Sequence, residues 1–194
     1  MSGKGTSAGA LYQARVIAFA YVHVITERPL PWFGSAGQMP TAVWGETRGP
    51  GDDVRLEFGT TLAGEVQARH EMNAARDLVD LVAAIRVRSA DARPMPVALL
   101  IDRKSSGRLQ VNVAGDLDRH RGGRDDGLGK EVADLLAGPE NRSVLERLFV
   151  VPADFDHPNS HERVQAVDYL RGRLVDTNQA EAAWDEPSGV SWRP

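Results

Sequence analysis

The chain has 194 residues, 42% of them hydrophobic and 26% charged, with a formal net charge of −4. This is the make-up of one soluble globular domain, with or without a tail, and it is long enough to bury a sizeable core. It carries no global nucleic-acid signature, so any phosphate-binding surface must be local; the absence of cysteine excludes a disulfide framework and Cys-ligated zinc, and fits the reducing cytosol.

The first nine residues, MSGKGTSAG, are small and read as a flexible arm. Ala10 to Ile25 is nearly continuous apolar sequence, shorter than the roughly 18 residues of a spanning helix and interrupted by Gln13, Arg15 and His23. It predicts a central helix buried on most sides and no membrane span. Lys4 and Ala18-Phe19-Ala20 mimic a signal peptide, and Arg15 inside the run argues against one. A lone His23 on such a helix reads as a satisfied core or boundary histidine and not as a ligand. Residues 26–50 are loop-like, with Pro29, Pro31, Pro40, Gly34 and Gly37, and within them 41–47 is a candidate strand.

Gly51 to His70 predicts two strands joined by a Gly/Thr turn. Val54, Leu56 and Phe58 alternate with Asp53, Arg55 and Glu57; Gly64, Val66, Ala68 and His70 alternate with Glu65, Gln67 and Arg69. Period-2 alternation places each set on one face, so Asp53 can share a face with Glu65, Gln67 and Arg69. Oxygen donors and a cation converging at a strand end suit a hard metal ion and phosphodiester hydrolysis. A solvated polar face of an amphipathic hairpin fits the same alternation.

Residues 74–87 predict a helix with Asn73 as N-cap and a core stripe of Leu78, Val82 and Ile85 widened by Val79 and Leu81. Val97 to Ile101 reads as a buried strand, Leu109 to Val113 as another, and residues 114–130 as a charged, glycine-rich loop. Gly129-Lys130 suggests a P-loop, but Arg124 and Glu131 stand where that motif needs Gly and Ser or Thr. A short helix is expected over Lys130 to Leu136 and a strand over Leu148 to Phe155. A last helix follows, capped by Asn159 with Glu162 completing a capping box, and with Val164, Val167, Leu170 and Leu174 facing the core. His157 and His161 have a metal-like spacing but straddle the cap instead of sharing a helix face.

The resulting order is helix, three strands, helix, strand, then a further strand and a closing helix. With Asp53-Val54 on the second strand, Gln67-Ala68-Arg69-His70 on the third and Tyr12-Gln13 in the first helix, the chain resembles the PD-(D/E)XK nuclease superfamily. The nearer resemblance is to the Mrr-like and double-stranded-DNA nuclease effector domains of bacterial antiviral proteins, including STAND NTPases. It covers roughly residues 8 to 175. It implies an α/β fold with a mixed β-sheet flanked by helices, restriction-endonuclease-like with an αβββαβ core. The divisions are 1–9 as arm, 10–176 as nuclease-like domain and 177–194 as tail or linker.

The resemblance also implies a cytoplasmic, Mg²⁺- or Mn²⁺-dependent DNA endonuclease effector, a homo-oligomer working with a C-terminal sensor or NTPase domain or a partner subunit. Asp53 would anchor the metal, with Asp52 as the alternative on the opposite face. Glu65 or Gln67 would fill the second position, and Arg69 would stabilise charge on phosphate. Two alignments stay open: Glu65-x-Gln67, with glutamine in place of the family lysine, or Gln67-x-Arg69, with arginine there. The chain's only lysines are Lys4, Lys104 and Lys130. The missing lysine leaves a second expectation, a catalytically inactive nuclease-fold module for nucleic-acid binding or oligomerisation. DNA binding would further imply that Arg103, Lys104, Arg119, Arg121 and Arg124 gather on the face of Arg69.

Overall fold

The computed structural model describes residues 5–34, 37–45, 54–73, 75–88, 95–155 and 157–185. Its centre is a five-stranded mixed sheet of β1 (Ala42–Gly45), β2 (Val54–Phe58), β3 (Leu62–Arg69), β4 (Val97–Ile101) and β5 (Leu148–Pro152), in that spatial order. The β1–β2 and β2–β3 pairs are antiparallel, whereas β3–β4 and β4–β5 are parallel. The central hairpin and the α/β mixed sheet are therefore as expected.

Helices cover both faces. On one side α1 (Gly5–Ile25), α6 (His161–Arg171) and α7 (Ala180–Asp185) enclose a core with Phe19, Leu56, Val66, Leu100, Leu170 and Trp184. On the other, α2 (Ala75–Arg88), α3 (Ala114–Arg121), α4 (Lys130–Leu136) and α5 (Arg142–Leu145) pack on Leu99, Ile101, Leu148 and Val150. β4 is buried along its whole length, which is why Val97 to Ile101 is apolar without alternation. Gly64 faces the first layer, where an added Cβ would lie 2.7 Å from Phe33 Cζ.

Several expectations are corrected. Residues 108–113 form a π-helical turn that runs into α3, not a strand. Leu109 and Val113 are buried while Val111 is exposed, so the apolar period is four, and the alternation of three apolar residues misled. α3 also removes 114–121 from the expected loop. It is anchored by Leu117 and by His120, whose Nδ1 lies 2.6 Å from Asp125 Oδ1. α1 starts at Gly5, inside the expected arm. It is not buried on most sides: Leu11 and Tyr21 are exposed, and a mostly apolar cavity of about 560 Å³ lies between α1, α6 and α7. By length and composition alone α1 could cross a membrane; in this fold Val16, Phe19, Ala20 and Val22 are packed in the core.

The α6 cap is Ser160, whose Oγ accepts from the Arg163 N–H, in place of Asn159. Val164 on that helix and Val79 on α2 are exposed, not core. The expected tail is partly folded, because α7 buries Ala180, Ala183 and Trp184. His23 is a core histidine: Nδ1 lies 2.9 Å from the Pro29 carbonyl, and burial lowers its pKa.

Candidate active site at the carboxyl edge of the sheet

Because β3, β4 and β5 are parallel, Arg69, Ile101 and Pro152 lie together at one edge of the sheet. β2 runs the other way, which sets its first residue, Val54, opposite Val66 towards that same edge. Asp53 and Asp52 lie outside the described residues. Glu65, Gln67 and Arg69 pair with Val97, Leu99 and Ile101 and so share the face covered by α2.

That face is not a solvated one. Glu65 is 0% and Gln67 3% exposed, and only Arg69 reaches solvent. Second from neither edge but central in the sheet, β3 has neighbours on both sides and helices on both faces, which closes off the polar row that alternation alone would leave open.

A cleft of about 360 Å³ opens between the end of β3 and α2, and its polar lining is Gln67, Arg69, His70, Glu71, Asp77 and Asp80. Gln67 lies at the buried end and Arg69 at the exposed end, while Glu65 is not among the lining residues. The cleft thus holds both residues of Gln67-x-Arg69 and only Gln67 of Glu65-x-Gln67. The Gln67 Oε1 is buried and makes no hydrogen bond. Buried polar atoms are nearly always satisfied, and an amide oxygen is a donor type that suits a hard cation. By donor type the Gln67 amide oxygen suits a Mg²⁺ or Mn²⁺ ion, with the buried Glu65 carboxylate two residues back on the same face. Among the described residues no group of three or more His, Asp or Glu side chains is arranged to hold a metal, His157 and His161 included.

Beyond Arg69 the chain makes a tight, pinned turn. Asp102, at the end of β4, accepts from the Glu71 N–H at 2.9 Å, the Ser105 N–H at 3.0 Å and the Ser105 hydroxyl at 2.7 Å, all on Oδ1. Its Oδ2 lies 3.4 Å from His70 Nε2. Met72 N–H donates to Ser105 Oγ, and Glu71 sits at φ 55°. The Tyr12 hydroxyl donates to the Ala153 carbonyl, and its ring meets His70 edge-on at 6.4 Å. The Tyr12 of the predicted first-helix pair thus reaches this edge.

The basic residues divide. Arg103 and Lys104 stand on the turn after β4, where they pair with Asp154 at 3.2 Å and Glu71 at 3.4 Å. Arg119 and Arg121 belong to α3, beside edge strand β5. Arg119 is tied to Asp116 and the Gly127 carbonyl. Arg121 is tied to Asp118 and the Leu148 carbonyl, with its guanidinium 4.1 Å from the Phe149 ring. Arg124 follows α3 in the next loop. The expected single cluster around Arg69 reduces to Arg103 and Lys104. Asp102, Asp77 and Asp80 escaped the sequence reading; a carboxylate ending the apolar run VALLI was the one signal for Asp102.

No family model and no curated protein matches the chain. Among solved structures, it is similar to the Moraxella osloensis Cap4 SAVED/CARF-domain containing receptor, at a TM-score of 0.57 and 11% identity. The likeness is one of fold. It takes in 93% of this chain and 42% of the receptor chain, so the present domain spans less than half the receptor's length.

Proposed function

We propose that this domain is the metal-dependent DNA endonuclease effector of a bacterial anti-phage defence system, of the PD-(D/E)XK type. The observation that carries the reading is the buried, unpaired amide oxygen of Gln67, a residue that lines the cleft at the end of β3. A fold shared with part of a receptor chain supports a division of labour in which a sensor domain or partner subunit, and assembly into an oligomer, control a cytoplasmic effector.

Asp53 and Gln67, backed by the buried Glu65, would hold Mg²⁺ or Mn²⁺. Such an ion would supply a water of lowered pKa and charge neutralisation at the scissile phosphate. Arg69, at the exposed end of the cleft, offers a planar two-pronged donor to phosphate oxygens and stabilises the charge that grows in the transition state. As a guanidinium, it is a donor and not an acceptor for the water's proton. Arg103 and Lys104 flank the same edge and suit backbone phosphates of a duplex.

The test is nicking of supercoiled plasmid in Mg²⁺ or Mn²⁺ against EDTA, using the protein in the assembly it forms. Metal-dependent nicking is expected, kept or raised by Arg69→Lys. A second reading, an inactive nucleic-acid-binding or oligomerisation module, is favoured by the absence of lysine from the central hairpin. It predicts no nicking by the parent or by Arg69→Lys.

A further inference from the structure

The mechanism above leaves a proton without an acceptor and a histidine without a task. His70 lines the cleft that holds Gln67 and Arg69. Its Nε2 faces Asp102 Oδ2 at 3.4 Å, and its Nδ1 lies 3.8 Å from Glu71 Oε1 on the other side. Asp102 is itself fixed, because three donors saturate Oδ1 and leave Oδ2 for the imidazole. At that 3.4 Å contact the fixed carboxylate, nearer than Glu71, favours the tautomer with the proton on Nε2 and the lone pair on Nδ1.

The backbone supports the same arrangement. A glutamate at positive φ is strained and persists only where its surroundings hold it. It is held at Glu71 by the Glu71 N–H to Asp102, the Met72 N–H to Ser105 Oγ and the Ser106 N–H to the Met72 carbonyl. The turn that aims His70 is thus stapled to the β4 turn.

We propose that His70 is the proton acceptor for the attacking water, with Asp102 as its positioning residue; this rests on the nuclease reading. The water oxygen forms a bond to phosphorus and its proton passes to His70 Nδ1. The phosphorus–oxygen bond to the leaving sugar breaks, and the departing oxygen takes a proton from solvent. Nothing is oxidised or reduced, and water is the sole co-reactant. Among the described residues, the charged and titratable groups around His70 are Asp102, Glu71 and Tyr12, with Lys104 reaching it through Glu71, and Arg69, Asp77 and Asp80 line the same cleft.

Plasmid nicking by the parent, His70→Gln and Asp102→Asn is measured from mildly acidic to mildly basic pH, with His70→Ala assayed with and without free imidazole. Ring nitrogen NMR reads the His70 tautomer independently of cleavage. The parent rate should rise with pH. His70→Gln should lose that rise and about a hundredfold in rate, and imidazole should restore part of the loss in His70→Ala. The Nε2-protonated tautomer should be present in the parent and lost in Asp102→Asn. Equal cleavage by the parent and a folded His70→Gln overturns this inference and leaves the nuclease reading standing. An Nδ1-protonated ring in the parent overturns it as well. No cleavage by the parent overturns the nuclease reading and this inference together.

Discussion

Single positions on the central hairpin carry opposite demands. At Gly64 the demand is space: a Cβ would meet Phe33 ring atoms at 2.7 and 2.9 Å. That ring is itself set between Phe58 and Phe149, with centroids 5.6 and 6.1 Å away. Gly64→Ala should therefore cost about 1–3 kcal/mol in urea unfolding, as overpacking does, and the cost should shrink in a Phe33→Leu background because the two sites couple. At His23 the demand is neutrality. Burial lowers its folded-state pKa below the ordinary 6.5, so the unfolded chain binds the proton more readily. Stability then rises with pH through the window ending near that ordinary value, and is lost as pH falls below it. Thermal melts should show His23→Asn losing less stability than the parent between neutral and mildly acidic pH. Alternation in the sequence correctly put Glu65, Gln67 and Arg69 on one face, but it could not say that the face is covered. Burial depends on α2 and β4, far along the chain.

At the scale of elements, the strands were legible wherever an apolar run was long or alternated over five or more residues, as in β2 to β5. Three apolar residues at alternate positions, Leu109, Val111 and Val113, were too few to separate a strand from a π-helical turn. Only the tertiary burial of the first and last decides it. The α6 cap moved one residue because Asn159 and Ser160 are both good caps and local sequence does not rank them. α7 was missed because AEAAWD is short. Its stability comes from packing: Trp184 meets Phe19 edge-on at 6.4 Å, and Arg15 donates to the Trp184 carbonyl at 3.1 Å. Trp184→Ala should cost about 3–5 kcal/mol, and truncation after Val175 should be at least as damaging in a thermal melt. A shortened chain that melts like the parent would show α7 to be dispensable.

For the whole molecule, a mixed sheet with three parallel strands gathers the ends of β3, β4 and β5 on one edge and fills it with Gln67, Arg69, His70 and Asp102. Chain order hinted at this edge, and the residues after β4 complete it. Arg103 and Lys104 stand at the same edge of the sheet, on the turn after β4, so duplex DNA binding there should weaken steeply with salt. Arg103→Ala should flatten the salt dependence of fluorescence anisotropy, whereas Arg119→Ala, on α3, should leave it unchanged. The central claim is that the buried Gln67 oxygen is kept for a ligand and not for stability, and Gln67→Leu tests it most directly. Removing an unsatisfied buried polar atom while keeping the volume should leave the melting temperature unchanged or raised. Metal-dependent plasmid nicking should fall by orders of magnitude, because the ion supplies both the nucleophile and the charge stabilisation. A Gln67→Leu protein that nicks as fast as the parent would contradict the account.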